Sequence, residues 1–287
     1  MDLVDDLAPP DWLDELPLRP GPPWLSMGVH PLDLATWLIL DDRFDAELAL
    51  KAQLLAERHD DVFLARPGSE AAGREVLDLV TAWLTTHSGR AHAPSSAPLD
   101  LHPLDRAGRL VQEDLCVLVE HDGRYLLEAG SVCFPSHWRL SEKLGRSVAA
   151  IHGPVHHYDV ELEARVDRFF DRLRPEHPVV RRNLSIHSHD ELFRPEPHES
   201  PASFARDVSG LGQVWLRSER QTLVRLPATG AVLFTIKTQQ CRAEVLSARP
   251  EVAHRLAEKL RVLQPELERT GETVPFPPWL VPWLEAR

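Results

Sequence analysis

Between Gln213 and Leu226 the chain reads QVWLRSERQTLVRL, and Pro227, Ala228, Thr229 and Gly230 separate that run from a second apolar-rich stretch over residues 231–238. Turn residues between two strand-like runs predict a long hairpin. Its first strand is unusual, because Arg217, Glu219, Arg220 and Gln221 lie between apolar Trp215, Leu216, Leu223 and Val224. Period-two alternation puts Arg217, Glu219 and Gln221 on one face, and Arg220 on the other with Leu216 and Val224. One of these faces is expected to be buried. A buried arginine there needs a carboxylate, internal or on a ligand, since an unpaired one costs several kcal/mol. Structural pairing is the plainer reading, because ion-pair networks also place charges in sheets.

The rest of the chain supplies a sheet and its covering helices. Residues 115–120 and 124–129 flank His121-Asp122-Gly123, whose Asp-Gly pair suits a tight hairpin. Another strand is expected over 179–187. Helical spacing runs from Leu32 to Leu84, returns over 136–150, is clear over 160–173 with Leu162, Val166, Phe169, Phe170 and Leu173 on one stripe, and closes with Leu256, Leu260 and Leu263. The order predicts an α+β fold with an antiparallel sheet. The stretch over 86–100, rich in Ser, Ala, Pro and Gly, reads as a linker or long loop between a helical region (27–85) and a core (101–265). Residues 1–26 hold six acids before the first basic residue, Arg19, and many prolines, and read as a solvated tail. Residues 266–287 read as a Pro- and Trp-rich tail.

Composition excludes several functions. A formal net charge of −12 opposes binding to a phosphate backbone, so nucleic acid is not an expected partner. No stretch reaches the apolar length of a membrane span, and the acidic amino terminus is unlike a secretory signal. Cys116, Cys133 and Cys241 are an odd number without close spacing, which fits a reduced cytoplasm.

Few residues stand out chemically. His152 ends a helical stretch just before Gly153 and Pro154, a position where a neutral imidazole can ligate a metal or haem iron, although a lone histidine is more often structural. His156 follows by four, but Pro154 breaks the helical His-x-x-x-His geometry. His187 and His189 would share a strand face, yet no third ligand lies near them in sequence and no zinc site is assigned. Cys133 reads as a small core residue. A Cys-x-x-Cys-His attachment, a glycine-rich dinucleotide fingerprint and a Gly-x-Ser-x-Gly elbow are all lacking.

The segments MGVHPLDLATWLILDDRFDAELALK (27–51), LVQEDLCVL (110–118), FPSHWRLSEKLG (134–145), IHGPVHHY (151–158), VRRNLSIH (180–187) and LRSERQTLVRLPATGAVLFTIKT (216–238), in that order, resemble the haem-dependent oxidative N-demethylase alpha-subunit family. The resemblance implies a PAS-like sheet holding a non-covalent b-type haem. It also implies dioxygen as oxidant, a small secondary amine such as dimethylamine losing a methyl group as formaldehyde, and electrons from a separate flavin and iron-sulfur reductase. By the matching segments it implies His152 as iron ligand and metal-binding residue, Glu219, Arg220 and Arg217 as catalytic residues, and Gln221, Tyr158, Arg182 and Asn183 as haem or pocket contacts. His156 and Leu184 depart from the family's Pro and Trp at those positions, which puts the substrate in question. A haem-binding sensor or redox module without turnover is the alternative, and a protein without haem, its charged strand merely paired, is a third.

Overall fold

The computed structural model describes residues 8–19, 28–88, 98–152, 160–196, 210–270 and 276–287, with the side chains of 152, 160–165 and 266–270 left aside. Tyr158, His156 and most of the expected linker, 89–97, lie outside the described residues, as does the side chain of His152.

Eight strands form one antiparallel sheet: β1 (His30–Pro31), β2 (Phe63–Ala65), β3 (Asp114–His121), β4 (Arg124–Ser131), β5 (Val179–Arg182), β6 (Ser185–His187), β7 (Trp215–Arg225) and β8 (Val232–Arg242). They run in the order β1-β5-β7-β8-β3-β4-β2, with β6 also paired to β7. The β7–β8 hairpin is in register from Trp215 opposite Arg242 to Arg225 opposite Val232. Its turn is closed by Gly230 in the left-handed region, where only glycine is unstrained, and by the Glu75 carboxylate, which accepts from the Ala228 and Thr229 amides. The β3–β4 turn has Asp122 and Gly123 both at positive φ, as a two-residue hairpin requires.

The helices are α1 (Phe44–Glu57), α2 (His59–Val62), α3 (Glu70–His87), α4 (Pro103–Gly108), α5 (Leu140–Lys143), α6 (Val148–His152), α7 (Val160–Arg172), α8 (Pro250–Thr270) and α9 (Leu280–Glu285). Each sheet face has its own cover. Val224, Leu233, Leu115 and Val117 pack with Trp37, Leu54, Leu55, Val76 and Val80 of the amino-terminal part. Further along the same face, Leu216 and Cys241 pack on Val252, Leu256 and Leu260 of α8 and on Trp12, Leu13, Leu16 and Leu18. The opposite face, Leu223, Val232, Cys116 and Leu127, receives Leu140, Val148, Val166, Phe170 and Leu173 from α5 to α7 and their flanks. Apolar side chains leaving water on both faces supply the main driving force for this layering.

Three expectations change. The amino-terminal segment read as a solvated tail is packed over residues 8–19: Asp11–Glu15 form a 3-10 turn whose Trp12 and Leu13 are buried while the acids point outward. The carboxy-terminal segment likewise ends in α9, with Leu280 and Leu284 buried. The helical spacing over 136–150 yields only two short helices, because Gly145 adopts positive φ between them. Among the described residues no helix is long and apolar enough to cross a membrane.

Candidate functional site

Residues directly opposite in an antiparallel ladder share a face, so the register assembles the site. Arg181 lies opposite Gln221, Ser185 opposite Arg217, Glu219 opposite Thr238 and Arg217 opposite Gln240. All stand on the face covered by α5–α7. Asn183 interrupts the β5–β6 line there: its Oδ1 accepts from the Glu219 amide at 2.8 Å and its Nδ2 donates to Glu219 Oε2 at 2.8 Å. Gln221 Nε2 donates to the same oxygen at 2.9 Å. Glu219 is thus a carboxylate oriented by two amides.

Arg217 is 0 % exposed and is held by carbonyls, not by a carboxylate. Its Nη2 donates to Phe134 O at 2.8 Å and Leu192 O at 3.3 Å, and Nη1 to Glu191 O at 3.2 Å. Burial pushes its pKa down, opposed by the charges of Glu219 and Asp114. Burial likewise lowers Arg181, opposed by Glu219. Arg181 Nε, Arg217 Nε and Thr238 Oγ1 are buried without a hydrogen-bond partner among the described residues. Such groups call for an acceptor or donor from elsewhere. β3 ends opposite Ile236, and alongside Thr238–Arg242 of β8 a cleft of about 610 Å³ opens, bordered also by Trp12, Glu15 and Leu192.

The other predicted residues lie behind this face. Arg220 donates to the carbonyls of Thr36 and Trp37, both at 2.8 Å. Arg182 bonds Glu15 at 2.8 Å and Gln239 at 2.8 Å. The structure therefore brings together Arg217, Glu219, Gln221 and Asn183, and sets Arg220 and Arg182 on the reverse side, as the alternation of β7 predicts for Arg220. His152 closes α6. Arg181 and Thr238 were not singled out in sequence; for Arg181 the only signal is its place in the doublet before Asn183.

Asp114 joins β3 to the neighbouring loop, accepting from the amides of Cys133 at 2.8 Å and Phe134 at 2.9 Å. Burial raises its pKa from 3.8 to about 6. The native state therefore binds a proton more readily than the unfolded chain, and this group's contribution to stability grows as pH falls through that window, by up to about 3 kcal/mol. Urea denaturation of wild type and Asp114→Asn at about pH 7 and pH 4 should show their difference moving toward wild type at the lower pH by that order. Identical pH slopes would refute the shift.

His137, His187 and His189 offer ring nitrogens that all lie within 4.8 Å of one another. His137, fifty residues before His187, completes a cluster that the sequence gave no sign of. The three cysteines are buried; burial pushes Cys133 and Cys241 up to about 12 and raises Cys116 too, so none is a ready thiolate ligand.

A family model described as "Haem-dependent oxidative N-demethylase, alpha subunit-like" matches residues 28–90 and 86–270.

Proposed function

The chain belongs to the haem-dependent oxidative N-demethylase, alpha subunit-like family, and on that footing we propose that it is a haem-binding oxygenase that demethylates a small secondary amine such as dimethylamine, releasing formaldehyde. One observation carries the reading: the face under α5–α7 holds an oriented, half-buried carboxylate, Glu219, near two arginines, Arg181 and Arg217, whose buried Nε atoms have no partner among the described residues. Those donors fit haem, whose propionates are carboxylates, and the apolar row of Leu223 and Phe234 beside them suits a macrocycle. Five consecutive strands of the sheet, β3, β4, β5, β7 and β8, numbered among themselves along the chain, lie in the order 2-1-5-4-3 with α5–α7 between the second and third. That arrangement supports a PAS-like core, with the amino-terminal helices as an added cover.

Haem, when bound, supplies the oxygen-activating redox chemistry. His152 would ligate the iron, and Arg181 would meet a propionate. Glu219 would hold the substrate's ammonium group, its orientation fixed by Asn183 and Gln221 before the amine arrives. Arg217 would stabilise negative charge that develops during turnover. Arg220 and Arg182 brace the strand from behind, and Tyr158 would complete the pocket. Electrons would come from a flavin and iron-sulfur partner, in keeping with an alpha-subunit-like chain, and the buried, unpaired cysteines suit a reducing cytoplasm.

The absorption spectrum of the purified protein, oxidised and then reduced under carbon monoxide, should show a Soret band that shifts. No band after haem reconstitution would overturn the proposal. Given a reductase, oxygen and a panel of secondary amines, formaldehyde should form; a ferrous-oxygen complex decaying equally with and without amines would make the protein a sensor instead. His152→Ala should lose stoichiometric haem or change the iron spin state, and an unaltered spectrum would remove His152 from the site.

A further inference from the structure

The three histidines lie outside every role assigned above. His187 ends β6 and is 4 % exposed, while His137 and His189 are half-buried. His137 comes from a different part of the chain, and its loop is clipped to the later segment by two backbone hydrogen bonds, His137 N to Arg194 O at 2.7 Å and Arg194 N to Pro135 O at 3.2 Å. It does so with φ at +61°, a left-handed conformation that costs a side-chain-bearing residue energy and that clusters at ligand and catalytic sites.

The surrounding hydrogen bonds orient two of the rings, and for His137 they set the tautomer. A carbonyl can only accept, so His137 Nδ1, 3.0 Å from Glu196 O, carries the proton and leaves the lone pair on Nε2. Ser185 Oγ donates to Arg217 O at 3.3 Å and lies 2.7 Å from His187 Nε2. The shorter of these two contacts ties the imidazole through Nε2 and so orients its ring. Orienting a ligating imidazole through its far nitrogen is how proteins prepare a metal site.

We propose that His137, His187 and His189 bind a divalent transition ion of the zinc class, with solvent as the fourth ligand. Three neutral nitrogen donors without a carboxylate favour such an ion over magnesium or calcium. Tetrahedral zinc at about 2.0–2.1 Å from each nitrogen places the nitrogens roughly 3.4 Å apart. The 4.8 Å cluster therefore has to tighten by side-chain rotation, unstacking the His137 and His187 rings, now 5.4 Å apart between centroids.

The test uses the full chain loaded with haem, titrated calorimetrically with Zn²⁺ after chelator treatment. One equivalent should bind. His137→Gly is the decisive variant, because glycine suits a positive φ and the fold should be no less stable without zinc. Its zinc affinity should fall by roughly a hundredfold or more while the Soret band stays unchanged. Wild-type protein that takes up no stoichiometric zinc would overturn the proposal, as would His137→Gly binding zinc like wild type. Loss of the Soret band in that variant would also overturn it, since the cluster would then serve the haem.

Discussion

Replacing Arg217 with methionine is expected to lower the unfolding free energy by about 3–5 kcal/mol, the range for breaking buried charged networks. The guanidinium is fully buried and satisfies carbonyls of Phe134, Glu191 and Leu192, in two loops that meet over the sheet. Within a sheet or helix such carbonyls would be paired by backbone amides; here one side chain does it for both loops. Methionine fills much of the volume but donates nothing, leaving the buried Phe134 carbonyl unpaired at about 1–3 kcal/mol before relaxation and the less buried Glu191 and Leu192 carbonyls at a smaller cost. The arginine's own desolvation, no longer incurred, offsets part of this. Lysine keeps the charge but has no planar fork, so Arg217→Lys should fall between the two. Urea melts of the three proteins at one pH check this order. A methionine variant within about 1 kcal/mol of wild type would mean that the loops do not depend on the guanidinium, and its role would pass wholly to the ligand pocket.

That pairing shows where sequence reading stops. Alternation along β7 separated Arg217, Glu219 and Gln221 from Arg220 correctly, because period two is a property of the backbone. The partner of Arg217 was expected to be a carboxylate, and it is a set of carbonyls. Every residue carries a carbonyl, so no pattern of side chains could have announced them. The Asp122-Gly123 turn, the β7–β8 hairpin and the apolar stripe of α7, where Val166 and Phe170 are buried, were legible for local reasons. β1 and β2, of two and three residues, are too short to carry a period. The amino-terminal segment misled through its acids: Asp11, Asp14 and Glu15 dominate its composition, yet Trp12, Leu13, Leu16 and Leu18 decide its place. In the site, Asn183 and Glu219 were both named, but the clamp between them depends on a break in strand pairing that only the register reveals.

On the reverse of the same sheet, Lys237→Met is expected to cost about 3–5 kcal/mol alone, and most of that loss should return when Glu47→Leu is added. Lys237 Nζ lies 2.6 Å from Glu47 Oε2 and 3.2 Å from Asp41 Oδ2, with Lys237 side-chain exposure of 1 %. Gln112 Nε2 bonds Glu47 Oε2 and Asp41 Oδ1, each at 2.7 Å. Burial pushes the Glu47 pKa up and the lysine charge opposes it. Removing the lysine leaves the buried carboxylate with the Gln112 amide but without the opposing charge, so protonation relieves it and the Lys237→Met deficit should shrink as pH falls from about 8 to 5. A carboxyl whose folded pKa is raised contributes more stability on the acid side of it. The double variant exchanges the pair for two apolar side chains, and its stability should be close to wild type. A double-mutant cycle by urea denaturation at both pH values measures the coupling. If the two losses simply add, the pair is not a unit. If instead they cancel as expected, the charges do not stabilise the fold as such: they fix how α1 docks on β8, directly behind the strand that carries Glu219 and Gln221, and their worth should appear in the precision of that site.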